Sequence, residues 1–457
     1  MNLDMTKTIN ISQKGGAINV LNDVSKVKNQ TKIEQQKTTE GSTNKNIETI
    51  KNQPNTLEQK ATQKANPNSN EEKKFSKRIL LLTIGAVIIL LGIVSFYYFE
   101  IYKYKPKSQS EVLSFVTNYV PSNSTPTLWK ESLPLLDQPT EPKTEESPLN
   151  GLLFTKKQMN IMMQRRPVAV MINNHQATRP QSGLTSADIV IETNAESGIT
   201  RYLAFFWSTA PEKVGSIRSL RQYYLEWLNE YDPILIHDGC AQTNNPLTNA
   251  CGNTYLYGIK DISTIGAWRL NDGVRFAPHN EYSSVTNAWA YAEKMDWNKF
   301  PSTIKKWNFK KDEKQEDRGE KTTINVKFHT ILANNGAYDV IWTYDKNTNS
   351  YLRKIGGRID IDQENGQQVS AKNLVIQEVQ LRPSGDSDSR IIIKTIDKGN
   401  AVILRDGKIV HGKWEKDART SRTRYFDSNG KEIEFNRGRI WIMAVGKNVG
   451  QFDIVEQ

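Results

Sequence analysis

Cysteine is almost absent from this chain. Its 457 residues include two, Cys240 and Cys251, which lie in one polar stretch. So few cysteines exclude a zinc ribbon and a CxxC redox motif. A free Cys240, three residues after His237, would be a candidate thiol nucleophile. Outside the cytosol a disulfide with Cys251 is at least as consistent with the sequence, and it would remove that nucleophile.

Several motifs with a known chemistry are also missing. The sequence contains no GxSxG elbow, no HExxH pair and no P-loop. The usual signs of a serine hydrolase, a zinc metalloprotease and a nucleotide-binding loop are therefore absent. Whether the chain is an enzyme stays open at this level.

A concentrated basic surface is lacking as well, although the net charge is +11. Residues 1–78 contain 14 basic and 8 acidic side chains, so more than half of the excess lies in the first sixth of the chain. The remainder has no nucleic-acid-binding motif and carries ordinary solubilising charge. We expect no nucleic-acid partner.

The first 99 residues predict a tail followed by a membrane anchor. Residues 1–78 contain a single aromatic residue, Phe75, and no apolar periodicity, which predicts a disordered segment. Residues 79–99 are uncharged and long enough for one transmembrane helix. Basic residues just before that helix place the tail in the cytosol and the rest of the chain outside the membrane. Residues 101–150, rich in Pro, Ser, Thr and Glu, predict an extended stalk.

The remaining sequence predicts two domains. Short apolar runs such as PVAVMIN and ADIVIET alternate with helical patterns over residues 151–308, which indicates an α/β domain, a mixed sheet with flanking helices. Helices are expected from about Ser216 to Tyr231 and over residues 284–295. After a charged linker at 309–321, residues 322–457 predict a mainly antiparallel β domain. Its clearest hairpin turn is Asp406-Gly407.

Three arginines of the α/β domain are the leading candidates for binding an anion. Arg218 and Arg221 lie three residues apart at the start of the predicted helix, where unpaired N–H groups also favour an anion. Arg201 begins an apolar strand and would converge with them. The alternative is that these arginines form ordinary surface or structural ion pairs: Arg201 with Glu192 or Glu196, and Arg218 and Arg221 with Glu226 or Glu230.

Other polar residues at the ends of apolar runs would complete the site. Arg179, Arg275, His279 and Asn280 are candidate ligand-binding residues, and His175 lies in the same stretch. The catalytic candidates are Asp238 and His237, which would orient a metal, a water or a hydroxyl group. Asp188 and Asp238 are the candidate ligands of a divalent cation such as magnesium. No cofactor is certain from the sequence.

Several of these stretches together resemble a known family. RPVAVMINNHQATRPQSGLTSADIVIET, VGSIRSLRQYYLEW, DPILIHDG and APHN, followed by KNLVIQEVQL, NAVILRDGKIVHGKWEK and RGRIWIMAV, resemble the YerB-like bacterial lipoproteins. The resemblance covers roughly residues 150–448. It implies a cell-envelope protein and no established activity. That family is commonly anchored by a lipid on cysteine, whereas this chain has a predicted transmembrane helix.

Taken together, the sequence predicts a membrane-anchored cell-envelope protein whose first domain binds an anionic glycan or a lipid-linked precursor. Phosphoryl transfer or phosphodiester cleavage is the enzymatic form of this hypothesis. The alternative is a non-catalytic envelope scaffold, whose β domain binds a protein or a wall polymer.

Overall fold

The computed structural model describes residues 141–332 and 335–456, together with seven positions between residues 85 and 95. Those seven positions are helical and fall within the predicted transmembrane helix. The rest of that helix, the predicted tail and residues 101–140 lie outside the described residues. Within the described ranges, no helix has both the length and the apolar character needed to span a membrane.

A mixed sheet of eleven strands is the centre of the fold. In spatial order its strands are β21 (Arg424–Asp427), β20 (Lys408–Glu415), β19 (Lys398–Arg405), β17 (Asn373–Pro383), β23 (Ile440–Gly446), β4 (Ile189–Asn194), β5 (Thr200–Phe206), β3 (Val168–Asn173), β7 (Ile234–Ile236) and β8 (Lys260–Ser263), with β18 (Ile391–Lys394) paired to β17. Strand β23 pairs in parallel with both β17 and β4. Strands from the two sequence-defined domains therefore share one sheet.

A second sheet of six strands is antiparallel throughout. It contains β15 (Arg358–Ile359), β14 (Ser350–Ile355), β13 (Val340–Asp345), β12 (Thr322–Lys327) and β24 (Gln451–Glu456), with β16 (Ser370–Ala371) paired to β14. Buried residues alternate with more exposed ones along β12 and β13, as expected when one face of a sheet packs on the core. The prediction of antiparallel β structure holds for this sheet, whereas β17 and β23 of the same half pair in parallel within the large sheet.

Short strands and helices complete the described part of the fold. The small sheets are β6 (Val214–Gly215) with β10 (Glu281–Ser283) and β9 (Trp268–Arg269), β1 (Glu145–Glu146) with β2 (Leu153–Phe154), and β11 (Asn308–Lys310) with β22 (Glu434–Asn436). The α-helices are α1 (Lys156–Met162), α2 (Gln222–Leu228), α3 (Ala250–Leu256) and α4 (Val285–Lys294). Single 3-10 turns cover Gln176–Thr178, Leu184–Ser186, Glu196–Gly198 and Gln315–Asp317.

The large sheet is buried on both faces. One face packs against the six-stranded sheet and α4, for example through Val170, Trp342 and Trp289. The other face is covered by α1 and α2 and by Trp307. A central strand such as β3 is therefore buried at every position, which explains its apolar sequence up to Asn173 at its end.

The fold is mostly β, with few helices, so the α/β prediction holds for its mixed sheet and overstates its helices. The helix predicted from Ser216 is wrong, because α2 begins at Gln222. Upstream of it the backbone is extended and bonded to other segments: Ile217 N–H donates to the carbonyl of Glu281 (2.7 Å) and Arg218 N–H to that of Met171 (2.9 Å). The second predicted helix is confirmed as α4, capped by Ser284.

Two segments that composition assigned to a stalk and a linker are partly folded. Leu149 is fully buried, and the side-chain amide of Asn150 donates to Asp188 (2.5 Å). In the charged segment, Lys310 pairs with the buried Asp406 (2.8 Å), and Arg318 donates to the carbonyl of Lys346 (2.8 Å). Lys310 attaches this segment to the hairpin turn at Asp406-Gly407, whose two residues have φ of +53° and +67° as predicted.

Candidate anion-binding site

The candidate site lies where β3 and β7 end. These strands are parallel neighbours, so Asn173 at the end of β3 and Asp238 after β7 emerge at the same edge of the large sheet. The extended segment before α2 runs alongside: Asp238 N–H donates to the carbonyl of Arg218 (3.2 Å). Loop residues at the carboxyl ends of parallel strands commonly bind ligands. The fold therefore brings together three parts of the sequence that are far apart.

Two histidines stack against each other at this edge. The rings of His175 and His279 are nearly parallel, with centroids 4.4 Å apart. Burial lowers the pKa of His175, and the positive charges of Arg179 and Arg218 lower it further. The pKa of His279 is lowered by burial first and then by His175 and Arg218. Both rings are therefore mostly neutral at pH 7.

Hydrogen bonds determine which ring nitrogen of each histidine carries the proton. The Asn173 amide Nδ2 lies 3.2 Å from His279 Nδ1, and the Ala177 backbone N–H donates to His175 Nδ1 (3.2 Å). Because each Nδ1 accepts a hydrogen bond, the proton of each neutral ring is on Nε2. Within the described ranges, neither Nε2 has a hydrogen-bond partner. The stacked pair therefore presents two N–H donors.

Arg218 adds a positive charge near enough to the stacked rings to lower the pKa of each. Its side chain is half-buried, and no carboxylate of the described ranges lies within ion-pairing distance of it. A guanidinium group and two imidazole N–H donors form a set that has donors and no acceptor. Phosphate and carboxylate groups match such a set, whereas a metal ion would need the unprotonated Nδ1 of each ring, which already accepts a hydrogen bond. We call His175, Arg218 and His279 the imidazole site.

Glu281, two residues after His279, belongs to a pair of carboxyl groups. Glu281 and Asp238 both approach the Arg269 guanidinium, at 2.5 and 3.8 Å. Burial raises the pKa of Glu281 to about 7, and the neighbouring Asp238 contributes to the rise. The pair therefore holds a proton that exchanges near neutral pH. Asn280 contributes by accepting a hydrogen bond from Arg269 (3.2 Å).

The structure separates two of the three predicted anion-binding arginines from this donor set. Arg221 forms a two-pronged ion pair with Glu196 and is the residue before α2. Arg201 is buried, lies 3.9 Å from Glu196 and donates to the carbonyl of Ser219. The alternative with Glu196 is therefore observed for Arg201, and Arg221 is also in a structural ion pair, although with Glu196 and not with Glu226 or Glu230. Arg218 differs from both because it has no such carboxylate.

Arg179 and Arg275 have structural contacts as well. Arg179 donates to the carbonyl of Ala337 (2.7 Å) and stacks over Tyr338, which ties the β3 loop to the second half of the chain. Arg275 is buried and pairs with Asp272 (2.6 Å). Both side chains are occupied by protein groups, so neither resembles Arg218.

Two of the predicted catalytic and metal-binding residues, His237 and Asp188, are also bonded to protein groups. His237 is buried between the carbonyl of Gly239 (2.7 Å) and the carboxylate of Asp261 (3.1 Å). Both of its ring nitrogens therefore have protein partners. Asp188 precedes β4 and accepts from the backbone N–H groups of Trp207 (2.6 Å) and Ser208 (3.0 Å).

A shared metal ion between Asp188 and Asp238 is inconsistent with the topology. Strand β4 runs parallel to β7 within the large sheet, so a residue before one strand and a residue after the other lie at opposite edges. A six-residue strand such as β4 spans roughly 20 Å. No cluster of three or more His, Cys, Asp or Glu suited to a metal occurs within the described ranges.

The two cysteines form a disulfide, so Cys240 is not a free thiol nucleophile. Cys240 lies directly after the Asp238 loop, and Cys251 lies in α3. The bond anchors the loop that carries Asp238. A hydrogen bond from Leu220 N–H to the carbonyl of Gly239 (2.9 Å) holds the same loop.

Sequence reasoning missed Glu281, Arg269 and Asn173 as parts of the site. Glu281 directly follows His279 and Asn280 and starts β10, which was the one available signal. The contacts of Asn173 with His279 and of Arg269 with Asp238 depend on chain crossings that no local pattern indicates.

Comparison with known proteins identifies the family. The model of the N-terminal domain of the protein of unknown function DUF3048 matches residues 153–298, and the model of its C-terminal domain matches residues 324–442. A Bacillus subtilis (strain 168) protein described as "Putative lipoprotein YerB" is 32% identical over 308 residues, 67% of this chain and 88% of that protein. The crystal structure of Bacillus subtilis YerB superposes with a TM-score of 0.57 at 28% identity, covering 68% of this chain and all of the other. The chain belongs to the DUF3048 family of YerB-like proteins.

Proposed function

We propose that this chain is a cell-envelope protein that binds a phosphate-bearing glycan or lipid-linked precursor at the imidazole site. The observation that carries the proposal is the donor set: Arg218 without a carboxylate partner beside two imidazoles whose Nε2 protons are free to donate. The relative described as a lipoprotein supports a location in the envelope. Arg201 and Arg221 are not part of this proposal, because both lie against the carboxylate of Glu196.

The proposal also assigns a role to the carboxyl pair. A carboxyl group whose pKa is about 7 can give or accept a proton at neutral pH. Glu281 is therefore the residue that would transfer a proton if the bound phosphate ester is cleaved. Binding through the imidazole site does not require this second step.

Titration with inorganic pyrophosphate tests the binding proposal. Arg218→Gln removes one charge-assisted hydrogen bond, which contributes about 1.5–3 kcal/mol, so pyrophosphate affinity should fall at least about tenfold. Arg382→Gln is the matched control, because Arg382 is exposed at the end of β17, four strand positions across the large sheet from β3. The same loss in both variants, or no loss in Arg218→Gln, would contradict the assignment.

A further inference from the structure

The loop from residue 271 to residue 279 carries His279 into the imidazole site and displays two large apolar side chains to solvent. Val274 is 75% exposed and Phe276 is 69% exposed. We propose that the ligand is a lipid phosphate: its phosphate binds the imidazole site, and its hydrocarbon chain lies over Val274 and Phe276. This inference rests on the proposed function and specifies the class of ligand.

The loop is held in a defined conformation. Its two ends are joined by a hydrogen bond from Leu270 N–H to the carbonyl of Asn280 (2.7 Å). Arg275, between the two exposed residues, is buried and donates to Gln363 (2.7 Å) as well as pairing with Asp272. Anchoring Arg275 inward turns both of its apolar neighbours outward. Their exposure is therefore built into the loop.

The exposed apolar residues lie close along the backbone to the phosphate donors. His279 N–H donates to the carbonyl of Phe276 (2.7 Å), so a single tight turn joins these two residues. A molecule with an anionic end and an apolar end matches this order of groups, since the anion meets Arg218 and the histidines while its chain covers Val274 and Phe276. A soluble phosphate would leave both apolar side chains in water.

A series of n-alkyl phosphates tests this inference with the full chain in phosphatidylcholine nanodiscs. Methyl, butyl and octyl phosphate are titrated by calorimetry, and titration of empty nanodiscs corrects for partition into lipid. Burial of one methylene group strengthens binding about fourfold. Because the two side chains cover only part of the tail, octyl phosphate should bind about tenfold more tightly than methyl phosphate. Octyl glucoside, which has the same tail and no phosphate, should not bind.

Substitutions separate this inference from the proposed function. Val274→Ser with Phe276→Ser should abolish the dependence on chain length and leave methyl phosphate affinity unchanged. Val455→Ser, an exposed apolar residue of β24, is the control and should retain the full dependence. Arg218→Gln should weaken all three alkyl phosphates by the same factor.

Equal affinity for methyl and octyl phosphate, or a chain-length dependence that survives in the loop variant, would overturn the lipid inference and leave phosphate binding intact. Binding of octyl glucoside as tightly as octyl phosphate would overturn it too, in favour of a general apolar contact. If Arg218→Gln has no effect on any alkyl phosphate, the proposed function itself fails.

Discussion

Replacing Arg353 with methionine should destabilise the whole folded unit, because this residue forms ion pairs with two buried carboxylates. Arg353 in β14 is fully buried; its Nη2 lies 2.9 Å from both carboxylate oxygens of Glu192 in β4, and its Nη1 donates to Asp360. The guanidinium also packs 5.0 Å from the ring of Trp441. Removing one partner of a buried ion pair typically costs about 3–5 kcal/mol.

The assay is urea unfolding followed by tryptophan fluorescence. Arg353→Met should lower the free energy of unfolding by about 3–5 kcal/mol, with one cooperative transition, since Glu192 and Arg353 connect the two family-matched segments. Adding Glu192→Gln to this variant should recover part of the loss, because no carboxylate is then left unpaired at that position. A loss below about 1 kcal/mol, typical of an exposed pair, would refute the reasoning.

The pH dependence of the variant gives a second check. Burial raises the pKa of Glu192, and without Arg353 the rise should be larger. When the pKa of a carboxyl group is higher in the folded state than in the unfolded state, the folded state binds the proton at a higher pH. Folding is therefore favoured as pH falls. The deficit of Arg353→Met should therefore shrink between pH 7 and pH 5, and a deficit that grows would contradict the burial of Glu192.

Three further predictions follow from other parts of the molecule. Thiol reagents should label neither Cys240 nor Cys251 without reductant, and Cys251→Ser should cost about 3 kcal/mol of stability from the loop that the bond closes; labelling of both without reductant would exclude the disulfide. Asp188→Ala should lower the free energy of unfolding by about 3 kcal/mol, because buried donors of Trp207 and Asn150 lose their acceptor. Pyrophosphate affinity should stay unchanged, and a selective loss of binding would show that Asp188 belongs to the site. Protease added outside spheroplasts should leave the tail at residues 1–78 intact, and its digestion would reverse the predicted topology.

Local patterns predicted the parts of the fold that depend on neighbours in sequence. The Asp406-Gly407 hairpin needs two adjacent residues with positive φ, and α4 needs Ser284 before an apolar repeat, so both were readable. The eleven-stranded sheet was not, because β23 lies between β17 and β4 by pairings between distant segments.

The candidate site was predictable in its residue types and only partly in its geometry. Residues 175–280 contain the three residues of the imidazole site, whereas Asn173 and Glu281 lie just outside that stretch, and Arg218 remains a proposed anion ligand. The helix expected at Ser216 was inferred from apolar spacing that also suits an extended segment followed by a short helix. Arg221 was therefore expected beside Arg218, whereas it pairs with Glu196. The stacking of His175 on His279 joins two loops, and the local sequence of neither loop indicates this contact.

The imidazole pKa values test the central claim most directly, and the chain has only five histidines to resolve. In ¹⁵N-histidine NMR spectra, His175 and His279 should titrate below the ordinary value near 6.5 in the free protein. Saturating pyrophosphate should raise both pKa values, since a bound anion favours the protonated ring, and should leave His329 unchanged although its pKa is also lowered by burial. Unmoved titration curves for His175 and His279, or an equal shift at His329, would contradict an anion site at these two residues.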